Sequence, residues 1–307
     1  VNKIIEETPV GFAYDWKAHD LLLQADTVDS GVLDEALACI ETAVEDESGK
    51  TPSRYRKLAS IASCKGDIDC AIHALKKAAA LEAERDDSFV KNETMALELA
   101  LLYVRRGRSF VGAAIEELMD IPDAGEPFTR DSMLVTLYSF IGEQTKADEL
   151  LAEIDENLPI EHWCQLLRSY SDLFSGNTES SLKRARDWTT DATKSSKSAD
   201  WYELMICAGA AVEVLERHSA SSDDEDRGHI VFLAEFLTGE STTEDQVLAA
   251  WKDVHWSLKE LAIFREFARE HSTPYDDSKL DIIESLIRQQ ELESLKGQRR
   301  ALTWFQM

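Results

Sequence analysis

Seven histidines, His19, His73, His162, His218, His229, His255 and His271, are the first places to look for a metal site or a proton relay. No two stand at i, i+4, the spacing that puts two imidazoles on one helix face over a single ion. Five cysteines, Cys39, Cys64, Cys70, Cys164 and Cys207, include no C-x-x-C pair. An odd number of scattered thiols is the pattern of reduced side chains in a cytosolic compartment, with Cys64 and Cys70 near enough in sequence to bridge under oxidation. The phosphate-cradling G-x-x-x-x-G-K-[ST], the dinucleotide G-x-G-x-x-G, the zinc-binding H-E-x-x-H and the nucleophile elbow G-x-S-x-G are all absent. Acidic residues number 59, so neighbouring carboxylates are commonplace and single out no acid–base pair. The chain therefore reads as a non-enzyme, with no catalytic residue, no metal ligand and no cofactor expected.

Two segments could carry other chemistry. Ser221 and Ser222 precede the acidic run Asp223–Asp226, a context suited to acid-directed serine kinases. The stretch from Lys296 to Met307 is the one basic, aromatic segment, and Leu302, Trp304 and Phe305 are expected to pack as part of a final helix.

The elements that position these residues follow from composition. The chain has 307 residues, of which Gly (13) and Pro (6) together make 19. That is roughly half the usual share of about 12%. So few turn formers favour long helices over sandwiches or doubly wound folds. A 44% hydrophobic content suffices for a core, and the net charge of −26 argues against nucleic acid and anionic membrane surfaces as partners. The most apolar run, Leu204 to Leu215, is broken by Glu213 and is shorter than the roughly 18 residues of a membrane span. Neither nucleic acid nor membrane is expected as a partner, and a cytoplasmic location is expected.

A repeat organises the chain. Gly31, Gly66, Gly107, Gly142 and Gly176 each stand before an apolar helical stretch, at intervals of 35, 41, 35 and 34 residues. An interval near 34 fits two helices of about 12–14 residues and two short turns. In the clearest unit Tyr55, Leu58, Ala59 and Ala62 share one face of a first helix. Lys65-Gly66-Asp67 breaks it, and Ile68, Ala71, Ile72, Leu75, Ala78 and Ala79 form the inner face of a second. The unit around Gly107 carries two extra residues in its inner turn. Beyond residue 190 the repeat fades. Trp201 to Glu216 reads as one helix buried on several sides, followed by helices over Ile230–Leu237, Glu244–His271 and Asp277–Leu295.

These units resemble the tetratricopeptide-repeat (TPR) family, whose pattern is W-x2-L-G-x2-Y, then A-x3-F, then P. The matching residues are Tyr55-x2-Leu58-Ala59-x2-Ala62 with Ala71-x3-Leu75-x2-Ala78, then Ala96-x2-Leu99-Ala100-x2-Tyr103, then Leu134-Val135-x2-Tyr138 with Ala147-x3-Leu151 and Pro159. The resemblance implies an all-α fold: a right-handed superhelical array of antiparallel helix pairs, an α-solenoid. It covers about five pairs over residues 14–190, with degenerate repeats or a C-terminal helical cap over 191–307.

The resemblance also implies a function. In this family the first helices of successive pairs line a concave groove that holds a peptide. Positions on those helices not needed for stacking are Arg56, Lys57, Ser60 and Ser63, then Leu97, Leu101, Val104 and Arg105, then Ser132, Met133, Thr136 and Phe140. The expected protein is a scaffold or adaptor that binds a partner protein or peptide bearing a carboxylate beside an apolar anchor. The alternative is a regulatory or structural subunit of a larger complex. The chaperone-tail receptors of the family hold a carboxylate with Lys and Asn. Here the corresponding positions carry Arg56, Ser60, Leu97 and Leu101, so the resemblance stops short of that subset.

Overall fold

The computed structural model describes residues 10–46, 50–85, 93–121, 127–157, 161–190, 198–219, 228–239, 265, 268 and 275–304. Among them the regular structure is entirely helical. The α-helices are α1 (Val10–Gln24), α2 (Gly31–Glu45), α3 (Pro52–Lys65), α4 (Ile68–Arg85), α5 (Glu93–Arg106), α6 (Val111–Met119), α7 (Pro127–Ile141), α8 (Gln144–Asn157), α9 (Glu161–Phe174), α10 (Thr178–Thr190), α11 (Ser198–Cys207), α12 (Ala211–Ser219), α13 (Gly228–Thr238) and α14 (Asp277–Trp304). The chain divides into two compact units, residues 1–106 with 285–307, and residues 107–284. The anticipated repeat-to-cap boundary at 190 falls inside the second unit. The acidic serine loop, Pro159, Phe305 and nearly all of the helix expected over 244–271 lie outside the described residues.

In the first unit each of α1 to α4 packs on its successor. Start signals are local. Thr51 Oγ1 accepts the Arg54 N–H (3.3 Å) and Pro52 occupies the first turn of α3, where its missing N–H costs nothing. Ser30 Oγ accepts the Leu33 N–H (3.4 Å) at the start of α2. Gly31 thus opens α2 and is not an inner-turn glycine; the α1–α2 turn is made by Ala25 to Ser30. Leu33, Ala36, Ile40 and Ala43 of α2 are fully buried, as are Ala59, Ile61 and Ala62 of α3 and Ala71 and Ala78 of α4. Alanines at these positions let helix backbones approach closely.

In the second unit consecutive helices α6 to α13 pack in order, and alternate ones also touch: α7 on α9, α9 on α11, α11 on α13. α9 and α11 are therefore each flanked by a hairpin partner and by a first helix on either side.

One turn recurs. Gly66, Gly142, Gly176 and Gly209 have φ of 79°, 84°, 90° and 86°. At each, the glycine N–H donates to the carbonyl three residues back and the next N–H to the carbonyl five back. The bonds are Gly66 to Ser63 with Asp67 to Ala62, Gly142 to Ser139 with Glu143 to Tyr138, Gly176 to Leu173 with Asn177 to Asp172, and Gly209 to Ile206 with Ala210 to Met205. This closes the carbonyls that the helix end leaves open. Gly107 differs, with φ 125° and ψ 165°, and is followed by a short 3-10 turn, Arg108–Phe110, which absorbs the two extra residues. The stretch Trp201–Glu216 is thus two helices and not one, because Gly209 closes α11 33 residues after Gly176.

At Gly142 a Cβ would meet no atom within 4 Å, so only the left-handed backbone resists substitution. Gly142→Ala is expected to cost about 1–2 kcal/mol in urea unfolding, and Gly142→Asn less, because Asn tolerates that conformation.

Candidate interaction surface

The expected groove residues separate by burial. In the first unit α3 and α5 carry Arg56, Ser60, Leu97 and Leu101 partly accessible. Arg56 Nη2 donates to Glu82 Oε2 (2.8 Å), and the Ser60 hydroxyl donates to the Arg56 carbonyl (2.9 Å). Leu97 and Leu101 are one helical turn apart, so they form a short apolar ridge. Glu98 of α5 is exposed at its tip and feels both Arg56 and Glu291. Desolvation pushes its carboxyl above the ordinary range, Arg56 pulls it down and Glu291 pushes it further up.

Lys57, Val104 and Arg105 are not groove surface. Lys57 is buried and paired with Asp15 of α1, which also accepts from Arg54 Nε (3.3 Å). Val104 is fully buried. The Arg105 side chain is fully buried as well: its Nη1 donates to Ser63 Oγ (2.7 Å) and Glu291 Oε1 (2.9 Å), and its Nη2 to the Ser63 carbonyl (3.3 Å).

In the second unit the correction is complete. Every residue from Asp131 to Phe140 is buried, including Met133, Thr136 and Phe140. Phe140 meets the edge of Phe174 (ring centroids 6.3 Å apart, 78°), and Arg108 lies over its ring at 5.1 Å. Thr136 Oγ1 donates back to the Ser132 carbonyl (3.0 Å), and Ser139 and Ser171 join their hydroxyls across α7 and α9 (2.8 Å). The cause is the flanking of α7 on several sides. Its sequence, PFTRDSMLVTLYSFI, gathers its polar residues on no one side, as befits a helix without a solvent face.

The residues that sequence reasoning missed are Arg288, Gln289, Glu291 and Lys296 in the middle of α14. They meet the ends of α1 and α3 across separations of 224 to 271 residues, and no local pattern announces such pairings.

Other chemistry is sparse. A cleft of about 290 Å³ between α8, α9 and α10 is lined by Gln144, Asp148, Arg168, Asp172 and Arg184 among others. Its arginines already hold carboxylates: Arg168 to Asp155 (2.6 Å) and Arg184 to Asp172. All five cysteines are free. Burial pushes Cys64 up strongly and raises Cys70 to about 11, the latter helped by Asp67 and Glu41. Thiolate is the reactive form, so neither is an activated nucleophile at neutral pH. Among the described residues no group of three His, Cys, Asp or Glu side chains is placed to hold a metal ion, and no helix is long and apolar enough to cross a membrane. No known protein family, curated protein or solved structure matches the chain.

Proposed function

We propose that the chain is a cytoplasmic protein-interaction scaffold or adaptor, built as a TPR-like right-handed array of antiparallel helix pairs, and that it transforms no substrate. The observation that carries this reading is the same helix-closing turn made at Gly66, Gly142, Gly176 and Gly209, with α3 and α5 leaving Arg56, Ser60, Leu97 and Leu101 partly accessible. Two leucines beside an arginine and a hydroxyl suit a partner segment with an apolar anchor next to a carboxylate.

The test is native affinity purification with the wild-type chain and with Leu97→Asp/Leu101→Asp. Both leucines are partly accessible, so helicity by circular dichroism is expected to persist. A partner enriched by the wild type and lost from the variant is the expected result; a partner retained by both rejects this face.

A second reading, a structural subunit of a larger complex, is favoured by a different surface. Phe12 and Trp16 on α1 are 46% and 58% exposed, with ring centroids 6.1 Å apart. Exposed aromatic pairs are typical anchors of protein interfaces.

A further inference from the structure

Within the first unit, α1 and α3 end with carbonyls that their own helices cannot satisfy. The middle of α14 supplies donors to both ends. Lys296 Nζ donates to the Ala25 carbonyl (2.7 Å) and Gln289 Nε2 to the Asp26 carbonyl (3.2 Å), beyond the end of α1. The Val28 N–H returns a bond to Gln289 Oε1 (3.3 Å). Arg288 Nε donates to the Cys64 carbonyl (2.8 Å) at the end of α3, and its Nη2 pairs with Asp29 (2.9 Å). Cationic donors at helix C-termini also oppose the negative end of the helix dipole. Glu291 takes the opposite role: one oxygen accepts from Arg105, the other from the Ser63 hydroxyl (2.9 Å). Leu286 and Leu292 of the same helix are fully buried and Leu295 nearly so.

These contacts have the chemistry of a bound peptide. A carboxylate sits on a buried arginine and a hydroxyl, leucines lie beside it, and cations cap helix ends. Arg105 is one of the positions that the sequence offers to a carboxylate, Ser63 is a neighbouring groove position, and the chain's own Glu291 is the carboxylate that they hold.

We infer that the face formed by Ala25–Asp29, Ser63–Gly66 and Arg105 is a receptor for a leucine-bearing helix with a glutamate at its centre and basic residues flanking it, and that residues 285–296 occupy it in cis as a tethered ligand. A partner helix of the same chemistry binds by displacing them. This inference rests on the scaffold reading and names the ligand class. Tethering gives the cis segment an effective concentration in the millimolar range, so a free competitor must be correspondingly tight or the tether weakened.

The test uses the full chain and a fluorescein-labelled synthetic peptide of residues 285–304. Arg288→Ala, Glu291→Ala and Lys296→Ala, combined in the chain, weaken the cis segment without substituting a residue of the receptor face, and leave Arg105 without its counter-charge until peptide supplies one. Hydrogen exchange at amides 286–296 is expected to speed up at least tenfold, and the variant is expected to bind the wild-type peptide at least tenfold more tightly than the wild-type chain does. Ser63→Ala in that variant is expected to weaken peptide binding severalfold. Equal peptide binding by wild type and triple variant overturns the inference. So does failure of the opened variant to bind peptide, or an unchanged exchange rate at 286–296. An external partner held equally by wild type and triple variant keeps the scaffold reading and removes the cis ligand. Peptide captured as expected, with no external partner found, does the reverse.

Discussion

Trp201→Ala is expected to destabilise the second unit by about 3–5 kcal/mol, the range for truncating a buried tryptophan. Trp201 is 1% exposed and stacks on Trp188 of α10 with ring centroids 5.3 Å apart and an interplanar angle of 9°. It lies in α11, where every residue from Trp201 to Cys207 is buried. Removing the indole takes away both the stacking and the filler between α10 and α11, and the surrounding helices close over the void only partly. Urea unfolding followed by circular dichroism at 222 nm reads the loss. Trp201→Phe is expected to recover part of it, because a phenyl ring keeps a stacked partner for Trp188. A midpoint equal to wild type for Trp201→Ala would show that α11 is not held by this contact.

The second large effect belongs to the first unit. Arg105→Ala is expected to cost about 3 kcal/mol, the lower end of the range for breaking a buried ion pair. The Arg105 side chain is fully buried, and Glu291, 19% exposed, would keep Ser63 and some water but lose its counter-charge. Glu291→Gln keeps one acceptor, enough for Arg105, puts an NH2 donor in place of the oxygen that Ser63 uses, and is expected to cost less than Arg105→Ala. Arg105→Met with Glu291→Leu removes both charges at similar volume and is expected to be closer to wild type than Arg105→Ala alone. A double mutant as unstable as the sum of its singles would mean that the two groups do not interact.

Much of the architecture was legible because it depends on rules that act within a few residues. A left-handed residue must end a helix before the chain reverses, and Gly66, Gly142 and Gly176 meet that need. Gly107 was legible as an irregular turn through its two extra residues, and the structure fills them with the 3-10 turn Arg108–Phe110. Gly209 meets the same need in Cys207-Ala-Gly-Ala-Ala211, yet the apolar residues on both sides mask it as a single buried helix. Gly31 shows the reverse error: a glycine at the right interval stands at a helix start behind the Ser30 cap.

The binding face was less legible. Leu97 and Leu101 keep partial exposure, whereas Met133 and Phe140, equally apolar, are consumed by packing between α7 and its neighbours. Sequence gives the apolar character of a position and not the number of helices that surround it. Arg56 and Arg105 were alike as charges on first helices. Only the fold distinguishes one paired at the surface with Glu82 from one enclosed against Ser63 and Glu291. The α14 contacts were out of reach, since Arg288, Gln289 and Lys296 find backbone carbonyls near the far end of the chain, and carbonyls have no sequence identity.

The most direct test of the central idea, a polypeptide held on the exposed faces of α3 and α5, is hydrogen-exchange footprinting of the chain with and without a purified partner. Slowed exchange centred on residues 56–60 and 97–101 is the outcome the account requires. Protection confined to the α8–α10 cleft, or spread evenly over all helices, would contradict it.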